Sequence, residues 1–285
     1  MKQYLDLYYR SHDGLRLYSR DYPASSPSDA LPLICIPGLT RNSSDFGELC
    51  SELSENARVL AVDLRGRGRS EYDSNSENYN PLIYAQDILA LMQGEGIATA
   101  RFVGTSLGGL VSMTLAATEP ARVAAIVLND IGPELEAEGI ERIKRYVSQP
   151  SVVNNWQDAI QLTRRLHHAA LEGLSEQEWE AFARQLYRED EQGRPVLNYD
   201  PRISDAFNSA DPDEKHADLW PLYRTLESVP VLIIRGANSD VISADTVRKM
   251  VAINSQARAI EVAGRGHAPF LNEPGVVSAI TEFLA

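Results

Sequence analysis

The sequence predicts an α/β fold, built on a mostly parallel sheet with helices on both faces. Three observations carry that prediction. Short apolar runs alternate with amphipathic helical stretches over most of the length, each run is apolar on both faces, and turn-forming residues separate run from helix. With 285 residues, 44% of them hydrophobic and 24% charged, the chain can bury a sizeable core.

The first two strands, Tyr4–Tyr9 and Leu15–Tyr22, flank the turn signal His12-Asp13-Gly14. After the polar loop Ala24–Asp29 the strand candidates are Leu31–Ile36, Val59–Val62, Arg101–Val103, Val123–Leu128, Val229–Ile234 and Ala259–Val262. Asn80-Pro81 places a capping residue before a proline at the first helical position, where the missing N–H is not needed. Tyr84, Ala85, Ile88, Leu91 and Met92 then recur at helical spacing.

About a hundred residues separate Leu128 from Val229, far more than one crossover helix needs. That stretch reads as entirely helical. Ser175-Glu176-Gln177-Glu178 is a capping box ahead of the stripe Trp179, Phe182, Ala183, Leu186, Tyr187, and a second stripe runs Trp156, Ile160, Thr163, Leu166, Ala170. The expected organisation is a core of residues 1–133 and 222–285, with a helical cap at 134–221 over the carboxyl edge of the sheet.

There are 27 Lys and Arg against 40 Asp and Glu, a net charge of −13, which argues against a nucleic-acid partner. The first residues lack the apolar stretch of a signal peptide, and no run reaches the length of a membrane span. Cys35 and Cys50 read as reduced, buried thiols. A cytoplasmic protein acting on a small molecule, with no membrane partner and no cofactor, is the expectation.

Gly104-Thr105-Ser106-Leu107-Gly108 follows a strand directly and opens the helix Leu110–Ala117. A serine in such a turn projects its hydroxyl away from the sheet, and flanking glycines avoid collisions with the neighbouring strand and helix. Ser106 is therefore the candidate nucleophile. Of the five histidines, His12 sits in the first turn, while His167, His168 and His216 fall in the helical stretch. His267, in Gly264–Pro269 after the last strand, shares the sheet edge with Ser106 and is the candidate base. The final helix is expected over Pro274–Leu284.

The base needs a carboxylate. Asp240, after the strand Val229–Ile234, gives the chain order Ser, Asp, His and is preferred, with Asp130 at the end of the preceding strand as the alternative. Asp63 reads instead as the residue that fixes the Arg65–Ser70 turn. Ile36-Pro37-Gly38-Leu39 ends a strand so that the N–H of Leu39, with that of Leu107, can form an oxyanion hole. Arg41 is a possible contact for a substrate carboxylate. No metal site is expected, because neighbours His167 and His168 point to different sides of a helix.

With Asp63-Leu64-Arg65-Gly66-Arg67-Gly68-Arg69-Ser70, Gly236–Asp240 and Gly266–Pro269, these motifs resemble those of the α/β-hydrolase superfamily over the whole length. The likeness is to the capped branch of esterases, enol-lactonases, C–C bond hydrolases, cofactor-free haloperoxidases and epoxide hydrolases. It implies an eight-stranded, mainly parallel sheet with the cap between strands six and seven. Many relatives have His-Gly at Pro37-Gly38, so a common supporting hydrogen bond is missing here. Ser106 argues against epoxide hydrolase or dehalogenase chemistry, which uses a carboxylate nucleophile. The reading is a serine hydrolase of a small ester or lactone, working through an acyl-enzyme. The alternatives are a C–C bond hydrolase, a haloperoxidase-like enzyme with the same triad, and a non-catalytic ligand receptor on the same fold.

Overall fold

The eight expected strands are present and form one sheet in the computed structural model, which describes residues 3–148, 152–205, 218–273 and 275–285. They are β1 (Leu5–Arg10), β2 (Arg16–Tyr22), β3 (Leu33–Ile36), β4 (Val59–Asp63), β5 (Ala100–Thr105), β6 (Val123–Asn129), β9 (Val231–Gly236) and β10 (Ala257–Val262). Two further strands, β7 (Tyr187–Glu189) and β8 (Pro195–Leu197), stand apart from this sheet. The order across the large sheet is β1-β2-β4-β3-β5-β6-β9-β10. Only β1–β2 and β2–β4 pair antiparallel; every later neighbour is parallel.

The helices are α1 (Gly47–Leu53), α2 (Pro81–Gly94), α3 (Leu107–Thr118), α4 (Ala137–Ser148), α5 (Trp156–His167), α6 (Glu176–Leu186), α7 (Trp220–Arg224), α8 (Ala244–Ile253) and α9 (Val276–Leu284). The twofold alternation of strand side chains divides the core. Ile34, Ile36, Leu60 and Val62 face Tyr84, Ile88 and Leu91 of α2 and Val111 and Leu115 of α3. Leu33, Cys35, Val59 and Ala61 face Phe46, Leu49 and Cys50 on one side and Val276, Ile280 and Leu284 of α9 on the other. Cys35 and Cys50 are free thiols with sulfurs 4.0 Å apart.

Local signals act as the residue chemistry requires. The side chain of Asn80 accepts the N–H of Ile83 and caps α2, and Ser175 and Glu178 form the capping box that opens α6. On α6, Trp179, Phe182, Ala183 and Leu186 are buried.

Between β6 and β9 the chain leaves the sheet and builds the insert, which has its own apolar cluster around Ala159, Leu171, Trp179 and Phe182. The insert is not entirely helical. β7 and β8 form an antiparallel hairpin, because Asp190 accepts the N–H groups of Gln192 and Arg194 and Gly193 takes φ 73°. The second expected stripe also shifts: α5 ends at His167, before Ala170, and its buried face is Ala159, Leu162 and Thr163, while Leu166 is exposed. His216 and Pro274 lie outside the described residues. Among the described residues no helix is long and apolar enough to cross a membrane.

Candidate active site

Ser106 sits between the last residue of β5 and the first of α3, at φ 52° and ψ −116°. A positive φ is strained for a residue with a side chain, and here the neighbours enforce it. A side-chain carbon on Gly104 would collide with the backbone of Gly108 and Gly109 in the helix; one on Gly108 would fall on the carbonyl oxygen of Ile36 in β3. Strand, turn and helix therefore pack at van der Waals limits that only glycine allows.

His267 reaches this serine from the loop after β10. Its Nε2 lies 2.8 Å from Ser106 Oγ, and its Nδ1 lies 2.8 Å from Asp130 Oδ2. An ionised carboxylate only accepts, so the ring proton belongs on Nδ1, which leaves the Nε2 lone pair facing the serine hydroxyl. The loop is anchored by Glu273, which accepts from Phe270 N–H and Arg265 Nε, and by Gly266 N–H donating to Ala170 of the insert.

The carboxylate on His267 is that of Asp130, not of Asp240. Asp130 directly follows β6 at φ 56°, and its side chain is fully buried. Oδ1 accepts the N–H of Gly236 at 2.8 Å, and Oδ2 also accepts the hydroxyl of Ser239 at 2.6 Å. The loop after β9 thus supports the acid through Gly236 and Ser239 without supplying it. Asp240 is bound instead by Arg142 of α4 through Nε at 2.5 Å and Nη2 at 2.8 Å, and this guanidinium holds its carboxyl below the usual range against the opposing effect of burial. Chain order could not separate the two aspartates, since each lies between Ser106 and His267. An arginine of the insert decides it.

Gly38 packs on the nucleophile turn: a side-chain carbon there would lie 3.8 Å from Ser106 Cβ. Leu39 and Leu107 accordingly flank Ser106, and among the described residues neither backbone N–H donates within the protein. The Leu39 carbonyl accepts Arg67 Nε at 2.8 Å. Arg67 is fully buried, with Nη1 donating to Arg65 O and Tyr84 Oη and the guanidinium 4.8 Å from the Tyr84 ring. This support was not read from the sequence. It stands in the loop where Pro37 lacks the bond that a histidine gives many relatives. Asp63 fixes the same turn as expected, accepting from Ser43 N–H and Arg69 N–H.

A cavity of about 550 Å³ lies over Ser106 and His267, walled by apolar side chains that include Leu110, Ile131, Ile143 and Phe182. Arg41 lies in its wall with Nε and Nη2 on Asp45, Nη2 also on Gln185 of α6, and its guanidinium 4.4 Å from the Phe182 ring. The side chain thereby ties the loop of residues 38–41 to the insert. His167 also faces the cavity; burial first, then the charges of Arg41, Arg142 and His267, push its pKa down to about 3, so the ring is neutral at pH 7. Among the described residues one group of three possible metal ligands comes together, His12, Asp13 and Asp87, none of which lines the cavity over Ser106. Both of its carboxylates are engaged by Arg65.

Residues 32–274 match the family model described as alpha/beta hydrolase fold, and the chain belongs to that family. It is similar to the 3-hydroxybutyrate-oligomer hydrolase of Cupriavidus necator, at 30% identity over 90% of this chain and 89% of that protein. The 2-(acetamidomethylene)succinate hydrolase of Mesorhizobium japonicum is 29% identical over 87% of this chain and 85% of its own. Among solved structures, an alpha/beta hydrolase from Novosphingobium aromaticivorans superposes with a TM-score of 0.92 at 39% identity, covering 100% of this chain and 99% of that one. The protein is a hydrolase of this family.

Proposed function

We propose that the protein hydrolyses a carboxylic ester of a small molecule through an acyl-serine intermediate. The observation that carries this reading is the unbroken chain Ser106–His267–Asp130, with both links at 2.8 Å, beneath a cavity of about 550 Å³. Ser106 Oγ attacks the ester carbonyl while His267 Nε2 takes its proton. Asp130 holds the ring and stabilises the imidazolium. The N–H groups of Leu39 and Leu107 bind the oxyanion, a contribution typically worth about 3–4 kcal/mol for one donor. Collapse expels the alcohol, which receives the proton from His267; water then adds to the acyl-enzyme by the same route and releases the acid.

The apolar walls suit a short acyl chain, and the likeness to an enzyme of hydroxybutyrate oligomers makes short oligoesters of hydroxy acids the substrate class of choice. The test is p-nitrophenyl butyrate hydrolysis combined with fluorophosphonate labelling. Wild type is expected to turn over the ester and to label once, at Ser106. A protein that does neither, or a Ser106→Ala variant as active as wild type, would falsify the reading.

A further inference from the structure

A second cavity, of about 370 Å³, lies beside the first, and Thr40, Tyr146 and His167 line both. It is built from α4, α5 and the β7–β8 hairpin, which supply Arg142 and Arg145, Thr163, and Tyr187 with the nearby Tyr199. Its chemistry differs from that of the catalytic cavity. The Thr163 side chain is 1% exposed, yet its Oγ1 has no hydrogen-bond partner. The hydroxyls of Tyr146, Tyr187 and Tyr199, unlike that of Thr163, are not sealed in the interior; they have no protein hydrogen-bond partner among the described residues, and burial of the side chains raises the pKa of all three, so they remain donors at neutral pH. Arg142 uses Nε and Nη2 on Asp240, which leaves Nη1. In a chain of net charge −13, no acidic side chain lines this chamber among the described residues. A buried hydroxyl such as that of Thr163 is costly without a partner, and the tyrosine hydroxyls around it are open to a ligand or water. Clustered as they are, they select a ligand rich in acceptors.

We infer that this chamber is the subsite for a carboxylate-ended arm of the ester, held by Thr163, Tyr146, Tyr187, Tyr199 and the free N–H of Arg142 while the scissile carbonyl sits at Ser106. The inference rests on the ester-hydrolase reading and adds an orientation: the oligoester enters with its free carboxylate pointing past Tyr146 and His167. Phenol and hydroxyl donors grip carboxylate oxygens by charge-assisted hydrogen bonds, which are stronger than those to an ester.

The experiment compares kcat/KM for the linear 3-hydroxybutyrate trimer as free acid and as its methyl ester, with p-nitrophenyl butyrate as the reporter of Ser106 chemistry. Wild type is expected to favour the free acid roughly tenfold, and Thr163→Val combined with Tyr199→Phe to bring that ratio down to within about threefold. If wild type cleaves p-nitrophenyl butyrate by Ser106 but treats acid and methyl ester alike, or prefers the methyl ester, the chamber assignment is overturned and the ester reading stands. The same holds if a folded double variant, checked by its thermal melt, keeps the full ratio. Absence of all ester cleavage removes the ester reading and this inference with it.

Discussion

The carboxylate of Asp130 lies 2.8 Å from Nδ1 of His267, although 137 residues separate the two in the chain. Asp130 directly follows β6, the strand beside the one that leads into Ser106, and Gly236 N–H and Ser239 Oγ occupy two more of its acceptor positions. Replacing it by asparagine puts a donor opposite Nδ1 and favours the wrong tautomer, a change worth about 10⁴ in kcat in the serine-protease case. Asp130→Asn is expected to lose about three to four orders of magnitude in kcat on p-nitrophenyl butyrate. Asp240→Asn, which only releases Arg142, is expected to lose less than about tenfold. Equal losses in the two variants, measured side by side, would remove Asp130 from the role given to it.

The loop that carries Leu39 makes a second prediction. Arg67 Nε donates to the carbonyl of Leu39, the residue proposed to supply one oxyanion N–H. Arg67→Lys keeps the charge but not the planar fork that reaches Leu39, Arg65 and Tyr84 together. Loss of loop position weakens the transition state more than the ground state, so kcat is expected to fall about 10- to 100-fold with KM changed by less than about threefold. Steady-state kinetics check this; a rise in KM alone would show that Arg67 shapes binding and not the oxyanion site.

Two glycine-to-alanine changes, one in the Ser106 turn and one at the end of α2, are expected to act with opposite signs. Gly108→Ala drives a methyl group into the Ile36 carbonyl, so β3 and α3 must move apart; a loss of about 1–3 kcal/mol or more is expected, with activity falling too. Gly94, the last residue of α2, has open space where a side chain would go, and Gly94→Ala is expected to gain up to about 1 kcal/mol. Urea unfolding of both variants gives the comparison.

The difference between what could and could not be read in the sequence follows from the range of the forces involved. Ser106 is announced locally by Gly104 and Gly108, the residues that let its turn pack against the helix behind it and against β3. The strands announce themselves by apolar runs, and Asn80 and Ser175 cap their helices through bonds three residues away. Asp130 and Asp240 both stand at strand ends with the same chain order, and what separates them is Arg142, 98 residues from Asp240. Arg67 looks like one basic residue among several in its motif until Leu39 is folded against it. The β7–β8 hairpin was legible in principle, in the Asp190–Gly193 turn, but its three-residue strands are too short to show alternation.

His167 gives a pH dependence whose sign can be worked out. In the folded protein its pKa is pushed down to about 3, chiefly by burial; in the unfolded chain it returns to the ordinary value near 6.5. Between these values the unfolded state binds a proton that the folded state refuses, so the stability of the fold falls as pH falls. The loss begins near pH 6.5 and continues toward pH 3. Because His167 faces the cavity and water can reach it, about 1 kcal/mol between pH 6.5 and 5 is the expected share, below the full linkage value. His167→Phe keeps the ring contacts with Tyr146 and Phe182, at 5.6 and 5.3 Å, and removes the titration. Thermal melts from pH 7 to pH 5 are therefore expected to shift less for the variant than for wild type. Parallel curves for the two proteins would mean that His167 takes up its proton without unfolding the insert.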